Sequence, residues 1–135
     1  MTVEEASSVV VDTDVFSFLF KGDTRAGLFS RHLNGKQVNL SFTTVAELYR
    51  WSLIHAWGNR RVKSLEVSLA TCSILPYDDD DTAWHWARVM SIKGRPMSPG
   101  DAWIAAAALR HGFPLVTHNR KHFEHVPGLT VISEA

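Results

Sequence analysis

The feature that most constrains this chain is its alternation of short, β-branched apolar runs with longer segments of helical spacing. Val9-Val10-Val11 is continuously apolar and stops at Asp12; a run without polar alternation suits a strand covered on both faces of a sheet. Val38 to Phe42, Ser73 to Leu75, Pro114 to Thr117 and Thr130 to Ile132 are also strand-length. Between them, helices are expected over Val15 to Phe20, to Leu33 from a cap at Asp23 or Thr24, and to about Trp57 from a cap at Thr43 or Thr44. Three more are expected over Arg61 to Ala70, from Asp81 or Thr82 to about Ile92, and from Ser98-Pro99-Gly100-Asp101 to about Arg110. Strands that alternate with helices predict an α/β domain, with a short, mostly parallel central sheet flanked by helices.

A chain of 135 residues fits one domain, spanning 1–135, and can bury enough surface to need no disulfide. Its lone cysteine, Cys72, excludes an intramolecular bridge and a cysteine-cluster zinc site, so a reducing cytoplasm is the expected setting. The opening MTVEEASS is acidic and polar, unlike a secretory signal, and no apolar run approaches a membrane span. Fourteen basic and 14 acidic residues cancel, so any nucleic-acid contact must rest on local clusters rather than on an overall basic field.

Ligands of open parallel sheets bind beyond the carboxyl ends of the strands. Asp12 lies at such an end, Asp101 opens the helix before the Leu115 strand, and Asn119 follows that strand just after Thr117. Glu47 lies within a helix whose core stripe is read as Val45, Leu48, Ser52 and Ala56; Glu47 falls on another stripe, beside Trp51 and Ile54. Singly, Asp12 reads as a turn or cap residue, Asp101 as a helix cap and Glu47 as a surface acid. Their joint placement points elsewhere. Gathered carboxylates repel one another unless a cation neutralises them, and hard oxygen donors suit Mg²⁺ or Mn²⁺. Metal-assisted hydrolysis of phosphodiesters is the chemistry such a cluster serves.

Four segments carry a resemblance over essentially the whole chain: VVVDTDVFSFL, SFTTVAELYRW, GDAWIAAAALRHG and LVTHNRKHFEHVPGLTV. In that order and spacing the chain resembles the PIN-domain ribonucleases, specifically the VapC-type toxins of bacterial and archaeal toxin–antitoxin pairs. The resemblance implies a PIN-like domain that cuts RNA endonucleolytically with Mg²⁺ or Mn²⁺. Asp12, Glu47 and Asp101 would form the metal site, with Asn119 as a further catalytic position and Thr13 and Thr117 as polar support. It also implies a homodimer, and a small VapB-like antitoxin whose tail covers the acidic site. One departure stands out. Many relatives carry an acid at Asn119 or at His122, and here both are non-acidic, so one charge is missing. The expectation is one well-held ion, with a second recruited together with the RNA phosphate.

Arg95, Arg120 and Lys121 flank the proposed site and are the candidates for RNA phosphate contacts; Arg50, Arg60, Arg61 and Lys63 read as solvated surface. The acidic run Asp78 to Asp81 reads as a helix-capping segment that favours the positive end of the helix dipole. His118, His122 and His125 have zinc-like spacing, but the loop after Thr117 is expected to break their register. The five tryptophans are expected in the core or a dimer interface. Three rival readings remain. One is a catalytically weak or inert PIN-like binding module. A second is a haloacid-dehalogenase-like phosphatase, suggested by the DxD of VVVDTDVF, although GDAWIA puts Ala105 where that chemistry needs a second acid. The third is metal-independent cleavage by His118, His122 and Lys121.

Overall fold

The computed structural model describes residues 6–134. The N-terminal stretch read as unlike a secretory signal lies largely outside them. The described elements run β1 (Ser8–Val11), α1 (Thr13–Lys21), α2 (Ala26–Leu33), β2 (Gln37–Ser41), α3 (Phe42–Ile54), α4 (Asn59–Leu69), β3 (Ser73–Leu75) and α5 (Asp80–Met90). They continue with α6 (Pro99–His111), β4 (Leu115–Val116), α7 (Arg120–Phe123) and β5 (Val131–Ile132). No described helix is long and apolar enough to cross a membrane.

The strands form one sheet in the order β3-β2-β1-β4-β5, and every pairing is parallel, where the sequence predicted mostly parallel. Val10 of β1 stands between Asn39 of β2 and Leu115 of β4. From β1 the chain winds outward to β2 and β3, then returns to β4 on the other side. The winding therefore reverses beside β1, and the crevice between the ends of β1 and β4 is where such a sheet receives a ligand.

Side chains alternate across a strand. Val9 and Val11 accordingly enter one core with Phe16, Phe29, Leu40 and Leu48, while Val10 enters the other with Leu115, Ile104 and Phe123. The uninterrupted apolar run is thus covered on both faces. On the second face α6 offers Ala102, Ala105, Ala107 and Ala108, all buried; such small side chains let the helix lie close to the sheet.

Helices α1 and α4 each begin two residues early, at Thr13 and Asn59, and the caps of three other helices differ from expectation. Ser41, not Thr43 or Thr44, caps α3 by accepting from the Thr43 N–H, so Phe42 is helical rather than the end of a strand. Asp79, not Asp81 or Thr82, caps α5 by accepting from the Thr82 N–H at 2.8 Å. Neither Asp23 nor Thr24 caps α2: it begins at Ala26, and the Asp23 carboxylate is held by the Arg25 backbone and guanidinium. At its far end α3 stops at Ile54, short of Trp57, and Ala56 takes a positive φ of 48°. None of the five tryptophans is fully buried; Trp84 is exposed, and Trp86 stacks on Trp103 with centroids 4.9 Å apart.

Candidate active site

Asp12 leaves β1 and at once caps α1, so the expected cap role and a place at the sheet edge coincide in one residue. Its Oδ1 accepts from the Thr13 N–H at 2.8 Å and its Oδ2 from the Thr117 hydroxyl at 2.7 Å. Pairing of β1 with β4 brings Thr117 there, and Thr117 Oγ1 in turn accepts from the Asn119 N–H at 3.0 Å. Asp12 is 5% exposed, and its carboxylate is held from the start of α1 and from the residue after β4.

Thr13 joins α1 to α3. Its hydroxyl donates to Glu47 Oε1 at 3.2 Å and lies 2.9 Å from Thr44 Oγ1; with its one proton given to Glu47, it accepts from Thr44. Thr44 is available for this because Ser41 serves as the cap. The buried stripe of α3 is Thr44, Leu48 and Ser52, whereas Ala56 lies beyond the helix. Glu47 is half-buried beside that stripe.

Asp101 occupies the first turn of α6, where the Ser98 hydroxyl, not Asp101, makes the cap by accepting the Asp101 N–H. Its own carboxylate is thereby released toward the strand ends and meets His122 Nδ1 at 3.2 Å. Asn119 precedes the one-turn helix α7, an element the sequence reading did not contain, and donates from Nδ2 to Asp14 Oδ2 at 2.9 Å. Asp14 is the residue that reading missed. Its signal was the second acid of the DxD, two residues past Asp12 and so in the first turn of the same helix.

The electrostatics follow from this crowding. Burial, then the charge of Asp14, pushes Asp12 up to about 8 against the hydrogen bonds from Thr117 and Thr13, with Asp101 adding a smaller push. Burial also raises Glu47, opposed by Thr13 and reinforced by Asp101 and Asp14. Asp14 is raised by burial against the backbone N–H groups of Val15 and His118. Three carboxyls are therefore held in a place that disfavours their charge.

Among the described residues, no three carboxylate, imidazole or thiol groups surround one point at ligating range. The acids are instead engaged by Thr117, Thr13, Asn119 and His122. Their chemistry fits a hard divalent cation, being all carboxylate oxygen. The three histidines of the zinc reading diverge: His118 stands edge-on to Phe18 with centroids 5.4 Å apart, while His122 faces Asp101. Arg120 and Lys121 open α7 directly after Asn119, and Arg95 lies in the loop before α6; all three are exposed.

An acid at the winding reversal of a small parallel sheet, joined by acids from two flanking helices, defines a class of carboxylate-centred α/β domains. The profile of the PIN domain matches residues 9–129, and the chain belongs to the PIN-domain family. Within it the chain is similar to the VapC ribonucleases. It is 28% identical over 125 residues to ribonuclease VapC1 of Haemophilus influenzae, covering 89% of this chain and 92% of that protein. Over 123 residues it is 28% identical to the tRNA(fMet)-specific endonuclease VapC of Shigella flexneri, with the same coverage of 89% and 92%. A crystal structure of VapBC-5 from Mycobacterium tuberculosis, a member of the VapBC family of toxin–antitoxin systems, superposes with a TM-score of 0.68 at 28% identity. That match covers 95% of this chain and 99% of the other.

Proposed function

We propose that this protein is a Mg²⁺- or Mn²⁺-dependent endoribonuclease, the toxin of a VapBC-type toxin–antitoxin pair. The observation that carries the reading is the gathering of Asp12, Glu47 and Asp101 at the reversal point of a PIN domain, against the electrostatic cost seen at Asp12 and Glu47. Asp12, Glu47 and Asp101 would hold the metal. When bound, such an ion supplies an activated water and neutralises charge at the scissile phosphate. Thr117 and Thr13 hold the carboxylates of Asp12 and Glu47 in place. Exposed Arg95, Arg120 and Lys121 would take backbone phosphates of the RNA, a sequence-independent contact. A homodimer, and a VapB-like antitoxin that covers the acids, belong to the same proposal; the similarity to VapBC-5 supports the partner.

The test is cleavage of total RNA by antitoxin-free protein with Mg²⁺ or Mn²⁺, beside an EDTA arm and Asp12→Asn. Discrete fragments that vanish in both controls are expected. Cleavage that survives EDTA would turn the reading to the histidines and Lys121, and no cleavage by folded protein under either metal would turn it to a binding module.

A further inference from the structure

Asn119 and His122, which lie beside the acids, bring no carboxylate to the site. The structure supplies an acid from a different position. Asp14 enters from the first turn of α1, and the Asn119 amide donates to its Oδ2 at 2.9 Å. Its Oδ1 accepts from the Val15 N–H at 2.6 Å. We propose that Asp14 is a fourth metal-ligating carboxylate of this site, and that Asn119 is the residue that positions it. This rests on the metal-ribonuclease reading above.

Two observations separate it from an ordinary helix-start acid. First, an acid in the first turn serves the helix equally well pointed into solvent, where its charge is free of its neighbours. Asp14 is instead half-buried and drawn in to the Asn119 amide beyond the end of β4. Second, none of the ion pairs among the described residues involves Asp14, and the one ion-pair contact made by any of the four acids is that of Asp101 with His122. Four gathered carboxylates with an ion-pair contact at Asp101 alone carry negative charge that a divalent ion offsets. Asn119, which has no charge to give, contributes by holding the acid that has.

The experiment is calorimetric titration of Mn²⁺ into the full chain, stripped of nucleic acid and divalent ions, with melting temperatures in EDTA as the folding control. Asp14→Asn should weaken Mn²⁺ binding about tenfold or more, at a melting temperature no lower than that of the unsubstituted chain. Asp14→Ser, which can still accept from the Val15 N–H, should weaken it likewise and covers the case where the first variant misfolds. Asn119→Ala should weaken binding by a smaller factor and add nothing once Asp14→Asn is present. Mn²⁺ affinity within about twofold of the unsubstituted chain in both Asp14 variants, while Asp12→Asn is weakened, would overturn the proposal and leave the metal site standing. Full additivity of Asn119→Ala would overturn the positioning role. If Asp12→Asn is silent too, the metal reading itself falls.

Discussion

Thr117 shows how much of this site depends on one hydroxyl. It donates to Asp12 and accepts from the Asn119 N–H, so it ties the end of β1 to the loop that carries the Asp14 contact. Thr117→Val keeps the shape and removes both bonds, leaving buried groups without partners. The expected cost is about 1–3 kcal/mol in urea unfolding, with a further rise in the Asp12 pKa because a bond to its charged form is gone. A loss below about 0.5 kcal/mol would mean that water replaces the hydroxyl. Thr117 was named through the family resemblance. The positions of Asp12, Glu47 and Asp101 were legible in the sequence, because Asp12 follows a strand, Asp101 starts a helix and Glu47 lines one. Asp14 and Thr44 were not. Their roles come from contacts 105 and 31 residues distant, and no local pattern encodes those partners.

At the scale of elements, α6 connects local sequence to the site most directly. Ser98 caps it, Pro99 takes the first turn where its missing N–H is harmless, and Gly112 closes it at φ 69°. The sequence showed this helix almost to its ends, because one Ser-Pro and one His-Gly mark them without competition. Helices α3 and α5 were misplaced at their starts for the opposite reason. Ser41, Thr43 and Thr44 can all cap, as can Asp79, Asp81 and Thr82, and only the path of the preceding strand or loop decides between them. One-turn α7 is too short to leave a periodicity. Ser98→Ala should cost about 1 kcal/mol in chemical denaturation, and Ser98→Gly only a few tenths. Because the Ser98 hydroxyl holds the Asp101 N–H, the alanine variant should also weaken Mn²⁺ binding; equal denaturation midpoints for the two variants would show that the cap bond does not stabilise the helix start.

For the whole molecule, the gathered acids set how stability responds to pH. Folded and metal-free, the chain keeps a proton on Asp12 up to about 8, whereas the ordinary value for an unfolded aspartate is 3.8. Between those values the folded state binds more protons than the unfolded one, so stability falls as pH rises. Glu47 and Asp14, also raised, act in the same direction. Asp79, lowered to about 2 by the Thr82 N–H and hydroxyl and by Arg110, acts oppositely, but its contribution is lost only as pH falls below the ordinary carboxylate range. Stability in EDTA should therefore be greatest on the acid side of neutrality, and the melting temperature should drop by several degrees between about pH 5 and about pH 8. A cation that favours the ionised acids reverses the argument: Mn²⁺ should raise the melting temperature more at the alkaline end, flattening the decline. Calorimetric melts across that range, with EDTA and with Mn²⁺, read both effects at once. A melting temperature in EDTA that rises toward pH 8 would mean Asp12 is ionised without penalty, and the electrostatic case for a cation at the end of β1 would fail with it.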